Sequence, residues 1–325
     1  GSSDAINVDL GTTSTVGSYT AVSTVNVTNG SSDYIKNIEN ITGGAGNDII
    51  KGDIYNNILI GGLGADTLSG GAGNDHLIGG DGVDIADYSA VSTEVGIVVD
   101  LSATTEVSND EYGNTDQLDD IEVVIGSNND DRFTGNDANN TFIGGDGYDR
   151  FQGSKGNDIF YSGSLVAAVH DTLGDFGKVD YYNDGGSNPI GKVYVDLSDL
   201  QTDSDGNSYA IAKKSYSSAS NGDYTDSEDK LYGITTIEAT NADDTLIGHT
   251  SGDKFEGLGG NDYFEGKGGV DLLTGGAGND LFMATSYNDG VDEIDGGTGS
   301  DTLDYSAYGS SNNISVTLGE VDAVV

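Results

Sequence analysis

The sequence of 325 residues contains no cysteine, a single proline and only 12 lysine and arginine residues. Without cysteine the chain can form neither disulfide bonds nor thiolate metal sites. Because 55 acidic residues outnumber the basic ones, nucleic acids and anionic membrane surfaces are unfavourable partners. No apolar run approaches the length of a membrane-spanning helix, so we expect no membrane insertion.

Glycine and acidic residues are abundant instead, and they give a formal net charge of −43. A glycine-rich acidic composition of this kind can indicate disorder. Here, however, 35% of the residues are hydrophobic, and aspartate recurs at a fixed spacing beside glycine. A regular register predicts a folded repeat rather than a solvated acidic tail.

The register has a period of nine residues, G-G-x-G-x-D-x-U-x, in which U is an apolar residue. One run of units starts at Gly43, a second at Gly126 and a third at Ala239, where three extra residues at 284–286 interrupt the register. The sixth positions of the sixteen units are Asp48, Asn57, Asp66, Asp75, Asp84, Asp131, Asn140, Asp149, Asp158, Asp244, Asp253, Asp262, Asp271, Asp280, Asp292 and Asp301.

Each position of the unit has a structural consequence. Glycines at positions one, two and four allow tight turns that direct carbonyl oxygens inward. The last three residues are too few for a helix but suit a short strand, whose position-eight side chain points into the core. Two units complete one coil, so position-six residues of successive coils, 18 apart, should stack at roughly 4.8 Å.

Stacked position-six carboxylates create an electrostatic problem that a divalent cation can solve. At an effective dielectric constant of 20, two such charges repel by ~3 kcal/mol. Calcium accepts mixed carbonyl and carboxylate ligands, whereas magnesium demands a stricter octahedron and zinc prefers histidine or cysteine. The position-six residues therefore predict calcium sites, on the order of ten ions, which would cancel about half of the net charge.

The nine-residue pattern resembles the RTX (repeats-in-toxin) family over a little under half of the chain. This resemblance implies an all-β fold of tandem parallel β-rolls, a form of β-solenoid, with capping β segments. It also implies type I secretion and an extracellular or bacterial cell-surface location.

Three longer phrases recur around the runs: a strand-like phrase, an Asp-x-apolar-x-x-Ile phrase and a closing Asp-Tyr pair. They begin at residues 7, 98 and 194, at Asp33, Asp116 and Asp229, and at Asp87, Asp180 and Asp304. They predict capped β-roll units at 1–90, 91–182 and 183–308, with 309–325 as the start of a further unit or the C-terminal end. A fourth strand-like phrase at Ser315 leads us to expect an excerpt of a longer tandem array.

Other candidate sites are weaker. His76, His170 and His249 show no catalytic spacing, and we interpret His76 and His249 as surface residues. The acidic loops 110–116, 203–207 and 223–229 are better explained as hydrated loops, although further calcium binding there is the alternative. Since the sequence contains neither a nucleophile-elbow motif nor a phosphate-loop motif, we expect that the protein is not an enzyme.

Three functions remain open at this point. The favoured one is a calcium-binding extender region of a large surface adhesin. The alternatives are the RTX part of a secreted enzyme or toxin and a surface-layer or matrix component. In each case a cell-surface or matrix ligand would bind through domains outside this sequence.

Overall fold

The structure, a computed structural model, describes residues 4–16, 19–27, 32–91, 95–102, 106–109, 114–163, 177–181, 192–215, 227–284 and 291–307. All regular secondary structure in these ranges is β-strand. Within them, no helix long and apolar enough to cross a membrane is present. The predicted all-β fold is therefore confirmed. The phrase at Ser315 and residues 309–325 lie outside the described part of the chain.

The strands are β1 (Ile6–Val16), β2 (Tyr19–Val27), β3 (Ser32–Ile35), β4 (Asn40–Thr42), β5 (Ile49–Lys51), β6 (Ile58–Leu63), β7 (Thr67–Ser69), β8 (His76–Asp81), β9 (Ile85–Asp87), β10 (Val98–Asp100), β11 (Glu106–Asn109), β12 (Thr115–Asp119), β13 (Val123–Ile125), β14 (Arg132–Thr134), β15 (Thr141–Ile143), β16 (Arg150–Gln152), β17 (Ile159–Tyr161), β18 (Gly177–Asp180), β19 (Lys192–Thr202), β20 (Ser208–Ser215), β21 (Ser227–Tyr232), β22 (Ile234–Glu238), β23 (Thr245–Ile247), β24 (Lys254–Glu256), β25 (Tyr263–Glu265), β26 (Leu272–Gly278), β27 (Leu281–Met283), β28 (Glu293–Gly299) and β29 (Thr302–Asp304).

These strands form two sheets, one of 16 and one of 13 strands. The larger has the order β29-β27-β25-β23-β19-β20-β21-β17-β15-β13-β9-β7-β5-β1-β2-β3, and the smaller has the order β28-β26-β24-β22-β18-β16-β14-β10-β11-β12-β8-β6-β4. Within the runs, residues 18 apart pair in parallel, as Ile50 does with Leu68. After the three-residue insertion, Leu273 pairs with Ile294, which restores the register. The predicted coil of two units is thus confirmed.

Position-eight side chains from the two sheets meet in one continuous core. Phe133, Phe142, Phe151 and Phe160 are each 0% exposed, and their rings stack both across the sheets and along them. Leu303 is 41% exposed, although it pairs in register with the buried Phe282. Its strand, β29, ends the larger sheet among the described strands, so no further coil there covers the side chain.

The capping segments form antiparallel three-stranded meanders, β1–β3, β10–β12 and β19–β21, which are inserted into the parallel sheets. The second meander joins two runs, because β12 pairs in parallel with β8 and β10 with β14. The third joins β17 to β23 in the same way. Strand pairing also continues across the expected boundaries, through β9–β13 and β18–β22. The boundaries at 90/91 and 182/183 stay predictions about sequence organisation.

Replacing the buried ring of Phe142 should be costly. Its ring centroid lies 5.2 Å from that of Phe133 and 6.2 Å from that of Phe160. We expect Phe142→Ala to lower the free energy of unfolding by about 3–5 kcal/mol, because it removes transfer energy and leaves a cavity. The control is the half-buried neighbour Thr141→Ala, which should cost little. Urea unfolding in calcium measures both variants, and equal losses would mean that the inner and outer faces are misassigned.

Candidate calcium-binding turns

The position-six side chains form a hydrogen-bonded ladder along each edge of the roll. In ten pairs, the Oδ1 atom of a position-six carboxylate accepts the N–H of the position-six residue one coil earlier, as in Asp48 to Asp66 at 2.7 Å. The pairs are Asp48–Asp66, Asn57–Asp75, Asp66–Asp84, Asp131–Asp149, Asn140–Asp158, Asp244–Asp262, Asp253–Asp271, Asp262–Asp280, Asp271–Asp292 and Asp280–Asp301. The expected stacking is confirmed, and one oxygen of each acceptor is already bound to the backbone.

The other oxygen distinguishes two kinds of turn. In what we term a closed turn, the position-two N–H donates to the position-six side chain, as Gly44 does to Oδ2 of Asp48 at 2.6 Å. In an open turn, the position-two residue has a positive φ, and Oδ2 is buried with no hydrogen-bond partner among the described residues. Closed turns precede Asp48, Asn57, Asp131, Asn140, Asp158, Asp244 and Asp253. Open turns precede Asp66, Asp84, Asp262 and Asp280.

Open turns require an unusual backbone conformation. Position two has φ values of +116° at Gly62 and +106° at Gly276, which glycine adopts at little cost. Leu258 adopts the same region at +69°, where a side chain is unfavourable. Strain of this kind persists only where the surrounding structure imposes it, and in these turns no position-two N–H of the described residues donates to Oδ2. The same positive φ occurs at Gly71, Gly145 and Lys267, in the turns of Asp75, Asp149 and Asp271.

Two oxygens converge over the position-one glycine of each open turn. A Cβ atom on Gly61 would lie 2.2 Å from Oδ2 of Asp66 and 2.7 Å from the carbonyl oxygen of Gly79. On Gly257 it would lie 2.4 Å from Oδ2 of Asp262. No side chain fits there, so the space is left to a hard carboxylate oxygen and the carbonyl of the next coil.

This donor set fits calcium. Among the described residues, no group of three or more histidine, aspartate or glutamate side chains is arranged so that it could hold one metal ion. A cation in an open turn would therefore take at most two carboxylates and would complete its coordination with carbonyl oxygens or water. Calcium tolerates such a mixed oxygen set, whereas zinc favours histidine and cysteine. A bound calcium ion would neutralise charge that the protein has buried.

Burial shifts the titration of these carboxylates. It raises the pKa of Asp262 to about 9, and the nearby charges of Asp244 and Asp280 add to the effect. Burial also raises the pKa of Asp244 to about 7 and that of Asp131 to about 6. The pKa values of Asp66, Asp84 and Asp280 rise in the same direction, again mainly through burial. Without a cation, burial therefore makes the ionised form of these side chains less favourable than in the unfolded chain.

The sixteen residues assigned as metal ligands are not equivalent in the structure. Asn57 donates its Nδ2 to the carbonyl of Glu39 at 2.9 Å, so its amide is oriented by the protein. Nδ2 of Asn140 is buried without a partner among the described residues. Asp292 is only half-buried and Asp301 is exposed, because both lie in the last described coil. The assignment of all sixteen as ligands stays a prediction.

Sequence reasoning missed the residues that extend the ladder into the capping segments. Asp75 donates its N–H to Oδ1 of Asp116 at 2.8 Å, and Asp158 donates to Oδ1 of Asp229 at 2.9 Å. The closing Asp-Tyr pair contributes as well, since the Tyr88 hydroxyl donates to Oδ2 of Asp116 at 3.0 Å. The recurring Asp-x-apolar-x-x-Ile and Asp-Tyr phrases were the available signal.

The remaining candidates have protein partners. His249 differs from the expected surface residue, because its side chain is 21% exposed and its Nδ1 lies 2.8 Å from Oδ1 of Asp253. His76 likewise contacts Asp119. In the loop at 203–207, Asp203 accepts hydrogen bonds from the N–H groups of Asp205 and Asn207 and from the Tyr232 hydroxyl. His170 and the segments 110–113 and 223–226 lie outside the described residues.

A family model described as the RTX calcium-binding nonapeptide repeat (4 copies) matches residues 37–54, 51–86, 119–150, 134–164, 231–264, 247–282, 256–289 and 286–304. These segments cover just over half of the chain. They include the sixth position of every unit in the three runs, and repeats of this family bind calcium. No curated protein matches the chain.

The raised pKa values predict how the calcium-free protein responds to pH. Between the unfolded value of 3.8 and the folded value of about 9, Asp262 holds more proton in the folded state than in the unfolded chain. Stability from this group is therefore complete at low pH and is lost as the pH rises through that window. With a chelator present, far-UV circular dichroism should show more strand at about pH 5 than at about pH 8. Asp262→Asn should weaken this pH dependence. A strand signal in the wild type that is equal or smaller at the lower pH would contradict the prediction.

The open-turn geometry can be tested at Gly62. Its φ is +116°, and an added Cβ would lie 2.5 Å from the carbonyl oxygen of Gly44. We expect Gly62→Ala to cost about 1–3 kcal/mol of stability and to raise the calcium concentration needed for folding. Gly163→Ala is the control, because no atom of the described residues, apart from its chain neighbours, lies within 4 Å of its Cβ position. Calcium titrations of the melting temperature compare the two variants, and indistinguishable midpoints would count against the open turn as a functional conformation.

Proposed function

Because the chain belongs to the family of RTX calcium-binding nonapeptide repeat proteins, we propose that it is a calcium-dependent structural region of an extracellular or cell-surface protein. In this proposal the chain is exported unfolded by a type I system and folds outside the cell when calcium binds. Its role is mechanical rather than catalytic, as an extender that holds other domains of an adhesin away from the surface.

The observation that carries the proposal is the set of open turns. Oδ2 of Asp66, Asp84, Asp262 and Asp280 is buried without a hydrogen-bond partner among the described residues. An ionised carboxylate oxygen buried in this way is costly unless it is paired or coordinates a metal ion. The neighbouring carbonyl and the absence of space for a side chain favour coordination.

Calcium concentration would then decide whether the chain is folded. Extracellular calcium modules have dissociation constants of about 10⁻⁴ to 10⁻³ M. At a calcium concentration about a hundred times the dissociation constant, each independent site adds ~2.7 kcal/mol of stability. A few such sites match the entire net stability of an ordinary domain, about 5–15 kcal/mol. In a calcium-poor cytoplasm this contribution is close to zero, and the repulsion within a chain of net charge −43 opposes compaction.

The sheets suit an extender. Sixteen strands follow one another in the larger sheet, which includes the first and third meanders, and the second meander is built into the smaller sheet in the same way. At roughly 4.8 Å per strand, such a sheet spans on the order of 70 Å. Repetition of the meander and run along the chain favours this role over attachment to a single catalytic domain. The alternatives are the RTX part of a secreted enzyme or toxin and a surface-layer component. Each of them would be recognised by a characteristic domain elsewhere in the protein.

Calcium removal should unfold the chain. At sub-micromolar calcium we expect weak strand signal and a large hydrodynamic radius, and at millimolar calcium we expect strand signal and a compact species. Far-UV circular dichroism and dynamic light scattering measure these properties along one titration. Magnesium at equal ionic strength is the control, and it should not restore the fold, because it demands a regular octahedron. A compact, heat-stable chain in the presence of the chelator would refute calcium-dependent folding.

A further inference from the structure

A lysine is buried completely at the junction between the second and third runs. Lys214 lies on β20 in the third meander, and its side chain is 0% exposed. Burial of an ammonium group is costly unless charges and hydrogen bonds compensate it. In a chain with only 12 basic residues, one of them occupies the interior.

The ammonium group contacts three oxygens. Its Nζ lies 2.6 Å from Oδ1 of Asp229 and 3.3 Å from Oδ2 of Asp158, and it donates to the carbonyl of Ser154 at 2.8 Å. Asp158 is a position-six residue, and Asp229 follows it in the ladder, because it accepts the Asp158 N–H. Ser154 is the position-two residue of the same turn. Lys214 thus meets two stacked carboxylates and a turn carbonyl, which are the ligand types that the open turns offer to calcium.

The turn of Asp158 differs from the open turns in its oxygen partners. Oδ2 of Asp158 has Lys214 nearby and also accepts the N–H of Ser154 at 3.4 Å. By contrast, Oδ2 of Asp84, in the last unit of the first run, has no hydrogen-bond partner among the described residues. A calcium ion between Asp158 and Asp229 would overlap the ammonium group and be repelled by it. The position-six pattern predicts that Asp158 is a metal ligand, but Lys214 occupies the space that the ion would need.

Charge compensation at this junction is consistent with the contacts. Burial raises the pKa of Asp158 to about 7, the Asp229 charge adds to the rise, and Lys214 opposes it. Burial also raises the pKa of Asp229, and the Lys214 charge counteracts the shift. The Tyr181 hydroxyl lies beside Asp229, just as the Tyr88 hydroxyl lies beside Asp116. Asp116 and Asp229 both extend the ladder, and the structure shows a lysine, Lys214, in contact with Asp229.

We propose that the Lys214 ammonium group is a built-in cation that replaces calcium between Asp158 and Asp229. This junction then holds its carboxylates together without calcium, and it links the second run to the third meander in the fold. The comparison with calcium in the other turns rests on the proposed function, whereas the contacts of Lys214 do not.

The test compares lysine variants that remove the charge with and without filling its space. Lys214→Ala leaves room for an ion, so it should bind one more calcium ion per chain than the wild type in native mass spectrometry. Lys214→Met fills the space with an uncharged chain, so it should bind no additional ion, and its melting temperature in calcium should fall by roughly 5–10 °C. Lys213→Met, at the half-buried neighbour on the same strand, is the control for lost charge and should change neither the ion count nor the melting temperature substantially.

A rescue variant keeps the test informative if Lys214→Met folds poorly. Adding Asp229→Asn to Lys214→Met should recover stability, because it removes one of the two carboxylates left without the lysine. Equal calcium counts in the wild type and Lys214→Ala would overturn the proposal, as would equal melting temperatures for Lys214→Met and Lys213→Met. If the wild type binds no calcium at all, the proposed function fails, while the melting comparison still decides whether Lys214 is the counter-ion.

Discussion

The structure depends on one constraint: aspartate carboxylates are buried in turns that stack one above another at the spacing of β-strands. One oxygen of each is bound by the N–H of the preceding coil, as Asp66 is by Asp48, which fixes the side chain inside the turn. In the open turns the second oxygen shares the space over a position-one glycine with a carbonyl, so a larger residue cannot enter. Parallel pairing and the glycine pattern suit this arrangement, and a bound calcium ion would compensate the buried charge.

The protein compensates the buried charge in more than one way. Closed turns use a backbone N–H, and the second meander uses the Tyr88 hydroxyl against Asp116. At Asp229 the fold supplies a lysine. Open turns have none of these for Oδ2 among the described residues, and their backbone is held at positive φ even at Leu258. Cation dependence would therefore be concentrated in the open turns, while other turns and junctions carry their own compensation.

Periodicity predicted the regular part of the fold well, because a nine-residue unit admits few arrangements. The inward phenylalanines and the stacking of residues 18 apart agree with it. It did not reveal the distinction between open and closed turns, however, because that distinction arises at position two. Nor could spacing reveal Lys214, since Asp158 is 56 residues away in sequence and is brought near by the meander. Leu303 lies in the predicted register but is exposed, because burial at a sheet end depends on the next coil.

A crystal structure grown in calcium, with an anomalous difference map, tests the central claim most directly. The account predicts calcium peaks beside Oδ2 of Asp66, Asp84, Asp262 and Asp280, each close to the carbonyl of the following coil. It predicts no peak between Asp158 and Asp229, where the ammonium of Lys214 lies. Open turns without calcium in a folded protein, with ions bound only at outward-facing acidic residues, would contradict the account.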